Sequence, residues 1–184
     1  MILYVHGFGS DKLSGTGLKL NQIFGNVLHP SIPIEPYKAI DFLTDLYNSV
    51  NIDYVIGNSL GGFYSYFLYK TFNVKTILLN PSISPSETLK TKIGFHKRFN
   101  TKDEFEWKID YCNRLELIFN DINNNQTDSN LLNVFINKDD EIIEYNKTLN
   151  LLSNIKNIKL YDIGGHRMSN FDNDILPEIK LLIK

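Results

Sequence analysis

The sequence has a single cysteine and no long hydrophobic run, and each shortage excludes a class of protein. Cys112 has no partner for an internal disulfide, and one cysteine excludes a zinc site built from several. No apolar stretch approaches the roughly 20 residues of a membrane-spanning helix. Residues 1–7 do not resemble a signal peptide, because they have no positively charged N-terminal region and their apolar run is too short. We therefore expect a cytoplasmic protein with no membrane partner.

Neither sign of charge is in excess. The 19 lysines and arginines nearly balance 21 aspartates and glutamates, for a net charge of −2. This balance gives no electrostatic reason to expect a nucleic-acid partner. Hydrophobic residues make up 42% of the chain, which is ordinary for a globular protein, and 184 residues predict one domain spanning the chain. The sequence carries no signal for an oligomeric state.

The most informative stretch surrounds Ser59. Residues 54–56 are aromatic and β-branched, which is typical of a buried strand. After Ser59 the apolar residues follow a helical spacing, at Leu60, Phe63, Tyr64, Phe67 and Leu68. Between strand and helix, residues 57–61 read Gly-Asn-Ser-Leu-Gly, the G-x-S-x-G pattern of a nucleophile elbow.

The elbow requires these residue types for a steric reason. A strand that turns directly into a helix strains the backbone at the turn residue, so the positions two before and two after it must lack a Cβ. The turn lifts the Ser59 oxygen clear of the sheet and directs the backbone N–H of Leu60 toward a reacting carbonyl. The alternative is a plain glycine-rich turn.

A second glycine-rich loop follows the first apolar run. Residues 6–10 read His-Gly-Phe-Gly-Ser, which completes neither the G-x-G-x-x-G nor the P-loop pattern of phosphate binding. We interpret this loop as an oxyanion loop in which the backbone N–H of Phe8 is the second donor. The His6 side chain is then expected to hydrogen-bond its own loop.

Three residues with catalytic chemistry are expected at strand ends. Asp140 follows a strand predicted at 131–136, and His166 follows one at 158–163. With Ser59 they occur in the order Ser, Asp, His, which is that of the α/β-hydrolase triad. Because the carboxyl ends of parallel strands share one edge of a sheet, these side chains are expected to converge.

Other residues compete for two of these roles. Asp139 fits the acid position by its spacing to an apolar residue three positions later, as Asp140 does. His96 and His29 are alternative bases, although neither follows a predicted central strand.

The remaining segments complete an α/β pattern of about six strands. Two prolines assign residues 31–36 to an edge strand, and residues 74–80 to an inner one. Residues from about 84 to 114 show no strand period and carry basic and aromatic side chains, so we expect a cap-like insertion there. Right-handed crossovers predict the strand order 2-1-3-4-5-6, with helices on both faces.

Several of these motifs resemble those of the small bacterial YqiA-like esterases, in the α/β-hydrolase superfamily. The matching stretches are residues 4–8, 57–62, 79–82, 140–145 and 164–166. The resemblance implies a carboxylester hydrolase for small substrates that needs no cofactor and no metal. It assigns Ser59 as nucleophile, Asp140 as acid and His166 as base, with oxyanion N–H groups from Phe8 and Leu60. One departure is that His166 follows Gly165 directly, where the family can carry a further residue.

The sequence thus predicts a minimal α/β-hydrolase fold with a serine esterase activity. Its substrate would be a small carboxylic ester or thioester, cleaved through an acyl-enzyme intermediate. Two alternatives stay open: a non-hydrolytic lyase that uses Ser59 and His166 on the same fold, and a catalytically silent binding protein.

Overall fold

A computed structural model describes residues 1–183, in which strands and helices alternate along most of the chain. The strands are β1 (Ile2–Val5), β2 (Val27–Leu28), β3 (Tyr54–Asn58), β4 (Lys75–Leu79), β5 (Gly94–Lys97), β6 (Glu104–Trp107), β7 (Leu132–Asn137) and β8 (Asn157–Tyr161). The helices are α1 (Gly15–Phe24), α2 (Pro36–Ser49), α3 (Leu60–Phe72), α4 (Pro85–Thr88), α5 (Ile109–Asn123), α6 (Tyr145–Leu151) and α7 (Leu176–Leu182).

Six of the strands form the main sheet, in the order β2-β1-β3-β4-β7-β8. Every neighbouring pair is parallel. Numbered within this sheet, the order is 2-1-3-4-5-6, which confirms the prediction from the sequence. All six carboxyl ends therefore lie along one edge, where the loops that follow β1, β3, β7 and β8 can meet.

The core occupies both faces of the sheet, because successive strand residues point to opposite sides. Leu3 and Val55 pack in one apolar cluster with residues of α2, α3 and α5. Tyr4 and Ile56 pack in another cluster with residues of α1 and α7. The inner strands are apolar on both sides for this reason, which is the pattern of a buried parallel sheet.

The edge strand lies earlier in the chain than the sequence predicted. It is the two-residue β2, and residues 31–36 form no strand. The backbone N–H of Ile32 donates to His6 Nε2 at 3.0 Å, outside any strand ladder. The prolines at 30 and 33 cannot donate to a ladder at all.

The segment from about 84 to 114 contains two strands that the sequence did not predict. β5 and β6 pair antiparallel as a separate hairpin. Its residues alternate between an exposed face and an inner face, on which His96 and Phe105 are half-buried and Trp107 is buried. Within residues 1–183 no helix is both long and apolar enough to cross a membrane.

Candidate active site

Ser59 lies between β3 and α3 in a strained backbone conformation, with φ of +55° and ψ of −121°. A Cβ at Gly57 would lie 2.2 Å from Ser65 Oγ, and one at Gly61 would lie 2.0 Å from the carbonyl oxygen of Val5. The space around both positions therefore admits only glycine. Leu60 is the first residue of α3, so its N–H has no acceptor within the helix.

His166 contacts the carboxylate of Asp140. Its Nδ1 lies 2.8 Å from Oδ2 and 3.0 Å from Oδ1. The Asp140 side chain is 2% exposed, and its Oδ1 also accepts the backbone N–H groups of Ile142 and Ile143 at 2.8 Å. Because these bonds fix the carboxylate, Asp140 can hold the imidazole with a proton on Nδ1 and leave Nε2 to accept one.

Asp139, the competing acid, makes a different set of contacts. Its two oxygens accept the backbone N–H groups of Gly165 at 2.7 Å and Gly164 at 3.1 Å. Glu141 Oε2 accepts the backbone N–H of His166 at 2.9 Å. The N–H of Gly165 lowers the pKa of Asp139, and that of His166 lowers the pKa of Glu141. Both carboxylates therefore position the loop that carries His166.

Two buried asparagines, Asn80 and Asn137, hydrogen-bond the same loop, the one that carries His166. Asn80 Nδ2 and Asn137 Nδ2 both donate to the carbonyl oxygen of Gly165, at 2.9 and 3.0 Å. The backbone N–H of Asn137 donates to Asn80 Oδ1 at 2.8 Å. The sequence predicts no role for Glu141 or for these asparagines. Asn80 and Glu141 do lie in two of the stretches that resemble the YqiA-like family, 79–82 and 140–145, and this is the one sequence signal for them.

A cavity of about 540 Å³ brings the site residues together. Ser59 and His166 line it, as do Phe8 and Leu60. His96, Phe99 and Phe105 of the β5–β6 hairpin also line it, as does Lys92 just before β5. Within residues 1–183 no hydrogen bond joins Ser59 to His166. Contacts between a nucleophile and its base are often long until substrate binds, so this arrangement is compatible with acyl transfer.

The family assignment agrees with the motifs. A family model described as "Uncharacterised protein family (UPF0227)" matches residues 1–183. The chain belongs to this family. The match confirms the resemblance to YqiA-like proteins that was drawn from the motifs.

Solved structures similar to this UPF0227 chain share its fold. Est1E from Butyrivibrio proteoclasticus is 16% identical, with a TM-score of 0.69 over 99% of this chain and 86% of its own. A monoacylglycerol lipase from Paleococcus ferrophilus is 13% identical, with a TM-score of 0.69 over 99% and 91%. The esterase domain of a Rhodothermus marinus protein is 18% identical, with a TM-score of 0.65 over 98% and 83%. These likenesses show the α/β-hydrolase fold.

His6 has the structural position expected of it in this UPF0227 chain. Its Nδ1 lies 2.9 Å from the carbonyl oxygen of Gly7 and donates to it, while Nε2 accepts the N–H of Ile32. Burial lowers the pKa of His6 to about 4. Both ring nitrogens are therefore occupied, and the ring is neutral at physiological pH.

The two alternative bases differ in their positions. His96 lines the cavity, but its Nε2 lies 2.5 Å from the carbonyl oxygen of Lys92, and its ring packs edge-on against Phe8. His29 does not line the cavity, and its Nδ1 lies 2.8 Å from the carbonyl oxygen of Lys12. Neither contacts a carboxylate in the described chain.

Residues 1–183 also hold no group of three or more histidine, cysteine or carboxylate side chains that could bind a metal ion.

Proposed function

We propose that this protein is a serine esterase that hydrolyses small carboxylic esters or thioesters. The observation that carries the proposal is that Ser59, in its strained elbow, and His166, held by Asp140, line the same cavity. A pure binding protein has no chemical need for a buried carboxylate that orients a histidine toward a cavity with an elbow serine.

The proposed first step forms an acyl-enzyme. Ser59 Oγ attacks the ester carbonyl carbon while His166 Nε2 removes its proton, and the Asp140 carboxylate stabilises the resulting imidazolium. The backbone N–H groups of Phe8 and Leu60 donate to the oxyanion. His166 then gives its proton to the departing alcohol or thiol as the tetrahedral intermediate collapses.

The second step regenerates the enzyme. A water molecule loses a proton to His166 Nε2 and attacks the acyl carbon, and Ser59 Oγ leaves with that proton as the carboxylic acid forms. The aromatic side chains Phe99 and Phe105 of the hairpin segment supply an apolar wall for the acyl group. We propose that the segment from about 84 to 114 acts as a cap over Ser59.

The test is hydrolysis of p-nitrophenyl esters of increasing acyl length. Ser59→Ala is expected to lower kcat by roughly 10⁴-fold or more with the fold intact. Ser82→Ala is a matched control, because Ser82 lines the same cavity and its hydroxyl contacts Thr88 at 3.2 Å. A Ser59→Ala protein close to the wild-type rate would refute the assignment of the nucleophile.

The base is tested by a second pair of variants. We expect His166→Gln to lose at least about 10³-fold in kcat and His96→Gln to stay within about tenfold of wild type. The reverse result would transfer the base to His96.

The alternative classes have their own outcome. Wild-type protein that Ser59-directed phosphonate probes label, but that turns over no ester, would favour the lyase; absence of labelling would favour a binding protein. The cytoplasmic location and the lack of a nucleic-acid partner stay predictions.

A further inference from the structure

A second, much smaller cavity lies against the same loop. Its volume is about 20 Å³. Gly7, Phe8, Gly9 and Leu60 line both this cavity and the large one, so the wall between the two cavities includes both proposed oxyanion donors. Tyr64 of α3 and Trp107 of β6 also line the small cavity, as does Arg98, whereas Ser59 does not.

Two polar atoms on these lining residues are buried without a hydrogen-bond partner among residues 1–183. They are Tyr64 Oη and Trp107 Nε1, on side chains that are 2% and 1% exposed. A buried donor without a partner destabilises a fold, and native structures satisfy nearly all of them. The third such atom, Ser65 Oγ, is not on this cavity and instead abuts the elbow at Gly57.

We propose that this cavity binds one water molecule between Tyr64 Oη and Trp107 Nε1, and that the water fixes the wall behind the oxyanion loop. A cavity needs roughly 10–15 Å³ of probe-occupied volume to hold a water, so this one is large enough to admit a water molecule. The indole N–H can only donate, so the water accepts from it. The phenol can donate or accept, so it serves as the second partner in either orientation.

The water site lies where it can influence the oxyanion loop that carries Phe8. The Trp107 ring packs edge-on against the Phe8 ring, with centroids 5.2 Å apart. Tyr64 lies one turn into α3 from Leu60. The water would therefore connect the indole that supports Phe8 to the helix that begins at Leu60. Tyr64 and Trp107 are thus positioning residues, and this part of the inference rests on the proposed function.

The water site can be tested without activity, because Trp107 is the only tryptophan in the chain. Its indole N–H gives one resonance in a ¹⁵N correlation spectrum. We expect a rotating-frame cross-peak between this proton and water with the sign of a dipolar contact, which is opposite to that of chemical exchange. Folded wild-type protein without that cross-peak would overturn the proposal.

Tyr64→Phe removes one partner of the water while keeping the ring. The Trp107 indole resonance is expected to shift and its water cross-peak to weaken. Tyr66→Phe is the matched control, because it makes the same change on the same helix in a different apolar cluster and should leave the resonance unchanged. An unshifted resonance in Tyr64→Phe would show that Tyr64 does not share the water.

The positioning role is tested by steady-state kinetics on a p-nitrophenyl ester. Tyr64→Phe should lower kcat about three- to tenfold with KM unchanged, and Tyr66→Phe should change neither, because a displaced oxyanion donor weakens transition-state binding alone. An unchanged kcat in Tyr64→Phe would refute the positioning role. Wild-type protein that shows the water cross-peak but hydrolyses no ester would refute the proposed function and establish the water site alone.

Discussion

Ser59 occupies a backbone conformation that depends on its glycine neighbours. Its φ of +55° lies in the left-handed region, which residues with a side chain rarely enter. The strain is held because the strand on one side and the helix on the other are both buried, and because Gly62 and Ser82 donate their N–H groups to the Ser59 carbonyl at 2.9 and 3.1 Å. The surrounding packing, and not the conformational preference of serine, therefore keeps Ser59 in this backbone conformation.

A methyl group at Gly61 would test this dependence. Gly61→Ala is expected to lower the free energy of unfolding by about 3 kcal/mol or more, because the new Cβ would lie 2.0 Å from the Val5 carbonyl oxygen in β1. Urea denaturation followed by circular dichroism measures it. Gly15→Ala is the matched control: no atom lies within 4 Å of its Cβ position at the start of α1, so stability should stay level or rise by up to about 1 kcal/mol. Equal losses in the two variants would contradict the steric account.

Among the elements, the hairpin of β5 and β6 is attached to the loop after β1 by a buried carboxylate. Asp11 has no exposed surface and accepts three hydrogen bonds, from Leu13 N at 2.8 Å, Asn100 Nδ2 at 3.1 Å and Thr101 N at 3.2 Å. Burial alone would raise the pKa of Asp11, but these donors outweigh it and lower the pKa below the usual value. Asp11 therefore stays charged and holds the hairpin turn.

Removing that charge should loosen the hairpin turn. Asp11→Asn is expected to lower the free energy of unfolding by about 1–3 kcal/mol, because an amide cannot accept at both of its ends. Trypsin should then cut faster after Arg98 and Lys102, which flank the turn. Asp103→Asn makes the same change in an exposed side chain of the same turn. It should leave the free energy of unfolding and the rate of trypsin cleavage unchanged. Equal cleavage rates for wild type and Asp11→Asn would show that Asp11 does not restrain the turn.

The elements differ in how well the sequence predicts them. β1, β3, β4 and β7 are apolar runs because helices cover both faces of the sheet, so composition alone reveals them. β5 and β6 are four-residue strands with one face outward, and their period is too short to distinguish from a loop. β2 has only two residues, so it has no sequence pattern that could predict it. It is a strand because it pairs with the free edge of β1.

The same limit applies to the candidate site. Local patterns predicted Ser59, Asp140 and His166 at strand ends, and the structure places all three at one edge of the sheet, while their catalytic roles stay predictions. The contact of Asn80 with Gly165 joins residues 85 positions apart in the chain. No local spacing encodes such a contact, because it exists only once the sheet brings the two loops together.

For the whole molecule, His6 links stability to pH. The buried ring is neutral, donating to Gly7 and accepting from Ile32, and burial lowers its pKa from 6.5 to about 4. The unfolded chain therefore binds a proton on His6 below about pH 6.5, while the folded protein stays unprotonated there until about pH 4. Stability should fall as the pH falls through this window.

The expected size follows from the two pKa values. Between pH 8 and pH 5 the His6 contribution should lower the free energy of unfolding by about 2 kcal/mol. Urea denaturation at pH 8, 7, 6 and 5 measures it, with His6→Gln as the non-titrating comparison. At pH 8 the variant should be less stable than wild type, because glutamine does not reproduce the geometry of the two His6 ring hydrogen bonds. On acidification, however, its free energy of unfolding should fall by about 2 kcal/mol less than that of wild type. Parallel curves would mean that His6 is protonated in the folded protein at pH 5. The bond from Ile32 N to Nε2 could not then exist, since a protonated ring nitrogen accepts nothing.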